Sequence, residues 1–304
     1  MSVNKFMETK TYKAPLSHQL NPGHSACAGC GMIVAARLLT DAIGPNSIMA
    51  NATGCSEVTT TQYPMTSFKL PWIHSLFENP ACLATGIAAA LKKQGKEDIN
   101  VVAVGGDGAT FDIGIVHLSG MWERGDNVLY VCYDNEAYQN TGYQTSGSTP
   151  LDAFTTTAPA GKNSFGNPTR KKDMIKIALA HHVPYVATAS VGYPIDFINK
   201  IKKSLTVKGP KYLQVYVPCV PGWGSEPKDT MTIAKLAVQT GYYPIVEYID
   251  GQLTGKMKVN KKEPIENFLK LQKRFKHLFK PGAEGELKKW QELCDNNINE
   301  FGLM

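Results

Sequence analysis

Four cysteines, Cys27, Cys30, Cys55 and Cys219, and a Gly106-Asp107-Gly108 turn answered by Asp134-Asn135 are the residues whose types and spacing could do chemistry. Cys27-Ala28-Gly29-Cys30 is a Cys-x-x-Cys, compatible with a redox pair, half of a zinc site or two ligands of an iron–sulfur cluster. Small residues around the thiolates, with Gly31 following, allow backbone N–H groups to face sulfur, which suits zinc or a cluster. Cys55 follows one strand-like run and Cys219, within Pro218-Cys219-Val220-Pro221-Gly222, follows another. If both strands share one parallel sheet, both thiolates reach the same edge. Spacing alone leaves zinc and a cluster open, with the cluster slightly ahead.

The second signal is one of hard oxygen and phosphate. Gly106 and Gly108 let the backbone approach a phosphate closely, and Asp107 offers a carboxylate oxygen to Mg²⁺, which prefers oxygen ligands in octahedral geometry. Gly-Asp-Gly alone marks turns everywhere. A second strand ending at Asn135, 28 residues beyond Asp107, changes its meaning, because an amide oxygen and the Ala137 carbonyl can then arrive at the same edge. That spacing resembles the thiamine diphosphate motif.

The elements that must position these groups alternate along the chain. Helical spacing covers Gly31 to Ile43, Asn79 to Lys93, Ile113 to Arg124, Lys172 to Ala180 and Ile195 to Leu205. Short apolar strand patterns cover Ser47 to Ala50, Ile99 to Val104, Asn127 to Tyr133, Tyr185 to Ala189 and Tyr212 to Val217. Alternation with continuous apolar strands predicts an α/β fold: a doubly wound, mostly parallel sheet with helices on both faces. Ligands of such sheets sit beyond the carboxyl ends of the strands. The stretch from Glu136 to Arg170 has little periodicity and reads as a functional loop. From Gly255 onward lysines concentrate, with apolar spacing at Ile265, Phe268, Leu269 and Phe279. The expected organisation is a binding domain over 1–254 and a helical carboxyl-terminal tail over 255–304, packed on the domain or on a partner.

Composition excludes several classes. The chain has 304 residues, 43% hydrophobic and 19% charged, enough to bury a core without staples. A net charge of +6 is too mild for a nucleic-acid footprint. Met1 to Lys10 lacks an apolar core, and no stretch approaches the roughly 18 to 20 apolar residues of a membrane span, so a cytoplasmic protein is expected. Seven cysteines with a Cys-x-x-Cys point to metal or redox use rather than a disulfide scaffold. Cys82, Cys132 and Cys294 are then left over, and the first two, in apolar runs, are expected to be small core residues.

Longer strings are more specific. Cys27-Ala-Gly-Cys30-Gly31, Ala50-Asn-Ala-Thr-Gly-Cys55, Pro71-Trp-Ile-His-Ser-Leu-Phe-Glu-Asn79, Gly105-Gly-Asp-Gly108 and Cys132-Tyr-Asp-Asn-Glu-Ala-Tyr-Gln-Asn-Thr-Gly142 resemble the β subunit of pyruvate:ferredoxin oxidoreductase. The likeness continues through Thr155-Thr-Thr-Ala-Pro-Ala-Gly161, Pro218-Cys219 and Ile233-Ala-Lys-Leu-Ala-Val-Gln-Thr-Gly241, in order and over most of the chain.

The resemblance implies a thiamine diphosphate-binding fold and a 2-oxoacid:ferredoxin oxidoreductase that oxidises a 2-oxoacid with loss of CO2 in the presence of coenzyme A. Cys27, Cys30, Cys55 and Cys219 match the family's ligands of a [4Fe-4S] cluster beside the cofactor. Asp107 and Asn135 match its Mg²⁺ ligands, Ala137 the carbonyl donor, and Asn140 a residue near the reacting carbon. Gly54, Gly106 and Gly108 belong to the cofactor-binding strings. Some members carry Glu two residues after the second cysteine, where this chain has Met32. The family draws the carboxylate that activates thiamine from another subunit, so the resemblance implies an α partner, further γ and ferredoxin-like δ subunits, and ferredoxin as acceptor. It implies pyruvate first, with oxalate, branched-chain and aryl 2-oxoacids as alternatives. A zinc-stabilised scaffold subunit and a non-redox thiamine decarboxylase or carboligase are the readings from other classes.

Overall fold

The computed structural model describes residues 10, 11, 15, 17–62 and 64–304, so the reading of Met1 to Lys10 falls, for residues 1–9, outside the described residues. Helix α1 (Gly31–Ile43), strand β1 (Ser47–Asn51), α2 (Cys55–Thr60), β2 (Trp72–His74) and α3 (Pro80–Lys93) come first, then β3 (Asn100–Gly106), α4 (Ile115–Glu123) and β4 (Leu129–Asp134). A small ribbon of β5 (Ala160–Gly161) and β6 (Ser164–Phe165) lies in the long loop. There follow α5 (Met174–Ala180), β7 (Tyr185–Ser190), α6 (Pro194–Ser204), β8 (Lys211–Tyr216), α7 (Val220–Trp223) and α8 (Thr230–Gln239). The chain closes with β9 (Val246–Ile249), β10 (Gln252–Lys256), α9 (Ile265–Leu269) and α10 (Glu284–Phe301).

Eight strands form one sheet in the order β10-β9-β7-β8-β4-β3-β1-β2. The six from β7 to β2 run parallel, and β9 and β10 add an antiparallel edge. Successive side chains point to opposite faces. Strand β4 therefore sends Leu129, Val131 and Tyr133 into one apolar layer and Tyr130 and Cys132 into the other. Helices α1 and α6 cover the first face with Leu39, Phe197 and Ile201, and α3, α4 and α5 cover the second with Ala84, Met121 and Met174. In α1 the buried Met32, Ala35, Ala36, Leu39 and Ile43 recur at three- and four-residue steps, the stripe a covering helix needs. Truncating such a residue, for example Leu39→Ala, costs about 2–5 kcal/mol.

The mostly parallel, doubly covered sheet is the architecture expected from the alternating pattern. Some elements differ. The helix expected from Ile113 starts at Ile115, because Gly108–Ile113 forms a π-helical turn. Strands β2, β9 and β10 carry too short or too polar a pattern to be legible, and β10 lies almost wholly exposed. Cys82 is exposed rather than a core residue, because α3 buries Ala81, Ala84 and Leu91 and Cys82 falls beside that stripe. Cys132 is fully buried.

Position 255 lies inside β10, and the segment beyond it continues through α9, a 3-10 stretch over Lys273–Phe279 and α10. Ile265, Phe268, Leu269, Phe275 and Trp290 pack in a third cluster with Tyr216, Trp223 and Tyr242, just beyond the end of β8. Among the described residues no helix is long and apolar enough to cross a membrane.

Candidate functional site

Parallel pairing of β3 with β4 sets Gly106 opposite Tyr133, so Asp107 and Asp134-Asn135 leave the sheet side by side. Strands β1 and β8 flank this pair in the sheet order and deliver Cys55 and Cys219 on either side of it. A cleft of about 640 Å³, open to solvent, lies over these strand ends. Gly54, Cys55, Gly106, Asp107, Gly108, Asn135, Ala137 and Asn140 all line it. A Cβ built on Gly106 would meet nothing within 4 Å, so this glycine leaves a bare backbone hollow at the strand end.

Three oxygen positions converge beside that hollow. One terminal atom of the Asn135 amide lies 2.8 Å from Asp107 Oδ1 and 2.9 Å from the Ala137 carbonyl oxygen. With the amide oxygen in that position, a cation satisfies all three acceptors at once. Neighbouring oxygens of a Mg²⁺ octahedron with bonds near 2.1 Å stand ~3 Å apart, which is the spacing seen. With the amide turned over, its NH2 donates to the other two oxygens and takes the cation's place. The donor set therefore fits Mg²⁺.

The electrostatics agree with that fit. Asp107 is 1% exposed, and burial, followed by repulsion from Asp134, holds its carboxyl well above the usual carboxylate range. Ser146 Oγ donates to Asp107 Oδ2 at 2.5 Å and the Asn135 N–H donates to Oδ1 at 3.3 Å, both favouring the anion. A carboxyl poised in this way ionises when a cation arrives. Behind it Asp134 accepts from Ser148 Oγ at 2.5 Å and Gln214 Nε2 at 2.8 Å and pairs with Lys171 Nζ at 2.5 Å.

The four cysteines come from three parts of the chain. Cys30 caps α1, Cys55 opens α2 and Cys219 caps α7. Gly31 N–H donates to Pro218 O at 3.0 Å, and a Cβ on Gly31 would clash with Pro218, so the missing side chain lets α1 abut the Cys219 turn. The N–H groups of Met32 and Ile33 face the Cys30 sulfur, and that of Gly222 faces Cys219. Burial, followed by mutual repulsion, pushes the Cys55 and Cys219 thiols up to about 12. Cys219 feels Cys55, Cys30 and Cys27, so all four are within electrostatic reach of one another. Four sulfurs on one Zn²⁺ would lie ~3.8 Å apart for bonds of 2.3 Å. Among the described residues no three His, Cys, Asp or Glu side chains are drawn close enough to grip a single ion.

Several lining residues carry no local sequence signal. Met32 lines the cleft from α1, and the Phe77 and Tyr138 rings lie beside it, tilted by 32° with centroids 5.8 Å apart. Tyr138 OH donates to Asp112 at 2.8 Å. Thr53 Oγ1 lies 2.8 Å from His74 Nε2, which ties β2 to the Cys55 turn. Asn79 Oδ1 accepts from the Leu76 N–H at 3.0 Å, a structural bond. The irregular loop does supply the site, through Tyr138 to Thr141 and Ser146.

Residues 52–215 match the family model described as thiamine pyrophosphate enzyme, C-terminal TPP binding domain. The chain is 52% identical to pyruvate synthase subunit PorB of Methanosarcina barkeri over 286 residues, covering 93% of this chain and 97% of that one. It is 44% identical to ketoisovalerate oxidoreductase subunit VorB of Pyrococcus abyssi, covering 91% of each. A solved 2-oxoglutarate:ferredoxin oxidoreductase of Magnetococcus marinus aligns with a TM-score of 0.58 at 23% identity, covering 77% of this chain and 84% of that one, and shares the fold.

Proposed function

The chain belongs to the 2-oxoacid:ferredoxin oxidoreductase family of thiamine pyrophosphate enzymes as a β subunit, and from that premise we propose that it serves CoA-dependent oxidative decarboxylation of pyruvate in the cytoplasm. In this reading Asp107, Asn135 and the Ala137 carbonyl hold Mg²⁺ and the diphosphate of thiamine diphosphate, and Cys27, Cys30, Cys55 and Cys219 hold a [4Fe-4S] cluster. Residues 1–254 carry both sites and 255–304 form an extension bracing them. The observation that carries the reading is the oxygen triad of Asp107, Asn135 and Ala137, flanked at the same sheet edge by four mutually interacting cysteines.

When bound, thiamine diphosphate supplies the centre that accepts the electrons left by departing CO2, and the cluster is the acceptor beside it. The chain's own work is positional. Asp107 anchors the cation with one oxygen while Ser146 holds the other. Gly54 and Gly106 keep side chains out of the diphosphate's path, Gly108 makes room for the Tyr138 ring, and Asn140, exposed at the lip, reaches toward the substrate side. Met32, Phe77 and Tyr138 provide an apolar wall that limits water.

Among the described residues lining the cleft, Asp107 is the only carboxylate and there is no His, Lys or Arg. Asp107 is committed to the cation, so the proton transfers of the reaction need groups from elsewhere. That supports an α subunit closing the cleft; in the same reading γ and δ subunits and ferredoxin would carry electrons onward. The PorB relative favours pyruvate, and the VorB relative keeps a branched-chain 2-oxoacid as the second reading.

The test is to purify the whole complex without oxygen and assay iron, acid-labile sulfide, magnesium and thiamine diphosphate, then offer a panel of 2-oxoacids with coenzyme A. Pyruvate should reduce the cluster fastest. About one zinc with no sulfide, or no reduction by any 2-oxoacid, overturns the assignment.

A further inference from the structure

We infer that Arg274, in the carboxyl-terminal extension, is a positioning residue of the metal and diphosphate site, holding Asn135 and Ala137 in place through Glu136 and Trp223. The inference rests on the reading of Asp107, Asn135 and Ala137 as cation ligands. Glu136 stands between Asn135 and Ala137, is 0% exposed and has a φ of 65°, a left-handed conformation that is unfavourable for a residue with a Cβ. Such a residue persists only where its surroundings over-determine it. Here Glu136 Oε2 accepts from Arg274 at 2.6 Å and Tyr216 OH at 3.3 Å, and Oε1 accepts from Tyr242 OH at 2.5 Å and Lys171 Nζ at 3.1 Å. Its carbonyl accepts from Thr149 Oγ1 at 2.8 Å.

Arg274 reaches the same segment by a second route. Its guanidinium lies 4.0 Å from the centroid of the Trp223 ring, whose Nε1–H donates to the Asn135 carbonyl at 2.9 Å. One guanidinium therefore touches two of the side chains that hold this segment, Glu136 and Trp223, while Gln139 Nε2 also donates to the Asn135 carbonyl at 2.7 Å. Arg274 is itself fixed: it is 4% exposed, its Nε donates to Gln272 Oε1 at 2.9 Å and its carbonyl accepts from Phe154 N–H at 2.9 Å. A planar fork that pairs with a carboxylate and stacks on an indole is a task for Arg that Lys does not reproduce.

The test uses the whole complex, stripped with a chelator and titrated with Mg²⁺. Thiamine diphosphate retained per chain after gel filtration is read alongside iron content and thermal midpoint. For Arg274→Met the Mg²⁺ concentration for half-retention should rise roughly 10- to 100-fold with iron content at the wild-type value, the range typical of residues that orient metal ligands. Glu136→Gln with Arg274→Met removes both charges and relieves a buried carboxylate left with Lys171 as its remaining cation, so the thermal midpoint should recover while the raised Mg²⁺ requirement persists. A Mg²⁺ requirement that returns to wild type together with the midpoint means packing alone, and overturns the inference. If Arg274→Met does not fold, Trp223→Phe leaves the charge network intact and removes only the N–H bond to Asn135. It should raise the requirement about 3- to 10-fold, the worth of one hydrogen bond, and an unchanged requirement overturns the inference. A wild-type complex whose thiamine diphosphate retention ignores Mg²⁺ sinks the cation-site reading itself, and this inference with it.

Discussion

Asp107, Asp134 and Glu136 are each at most 1% exposed, and hydroxyl, amide or cationic partners within the protein hold all three carboxyl groups. Cys30, Cys55 and Cys219 are only partly buried, each facing backbone N–H groups at the amino ends of α1, α2 and α7, and Cys27 is exposed. The oxygen half of the site is thus preformed by a buried polar network, with its ligands on adjacent strands. The sulfur half is gathered from 27–30, 55 and 219, and burial with mutual repulsion holds the Cys55 and Cys219 thiols in their protonated form. One half has its polar partners built into the protein, and the other sets partly buried thiols against one another.

The widest separation between the halves should appear on removing one ligand from each. Asp107→Ala takes away the hard oxygen and should weaken Mg²⁺-dependent thiamine diphosphate retention by roughly 100-fold or more, with iron and sulfide unchanged. Cys55→Ala should deplete iron and sulfide while shifting thiamine diphosphate affinity by less than about 3-fold, as expected of sites that couple weakly. Metal and cofactor analysis of the two purified complexes checks both. If either variant loses both cofactors, the halves are one cooperative unit and the comparison fails.

A smaller effect should follow from stripping cofactors out of the unmutated protein. Chelating Mg²⁺ should leave amide hydrogen exchange at Asn135 and Glu136 nearly unchanged, because Glu136, Trp223 and Gln139 hold that segment. Removing iron should speed exchange at Gly31 and Gly222 roughly tenfold, about 1.4 kcal/mol of local opening. The reverse pattern would show that the cluster side is the rigid one.

The oxygen half was also the more legible from sequence, for the same physical reason. Val101 to Gly105 and Asn127 to Tyr133 are continuous apolar runs because both faces of β3 and β4 are covered, and Asp107 and Asn135 mark where those runs stop. Their pairing needs only the rule that ligands gather at carboxyl ends of parallel strands. Arg274 was invisible, since its bond to Glu136 spans 138 residues and nothing local distinguishes it from the other basic residues of the tail. Ser146 was hidden likewise inside an aperiodic loop. Cys82 was misread because an Ala- and Leu-rich run looks uniformly apolar, while α3 buries only one stripe and turns Cys82 toward His117 Nδ1, 3.1 Å away.

The same contrast, between buried charge that is answered and buried charge that is not, extends to the amino-terminal edge of the sheet. Lys211 is 4% exposed at the start of β8, and its Nζ has Asn127 Oδ1 at 2.7 Å but, among the described residues, no carboxylate comparable to those that hold Lys171. Burial, with a smaller contribution from Lys208, pulls its pKa down to about 7. The folded state therefore binds fewer protons than the unfolded chain between pH 7 and the ordinary lysine value near 10.4. Stability contributed by this site rises with pH across that window, and below it the full cost of burying the ammonium is present. Lys211→Met, which keeps the stem and deletes the charge, should raise stability at pH 6 by on the order of 3 kcal/mol. The gain should shrink steadily toward pH 10, as read from thermal midpoints of the complex at both values. A gain that stays constant with pH would mean that Lys211 binds its proton equally well in the folded and the unfolded chain, and that charge at this edge of the sheet costs the fold nothing.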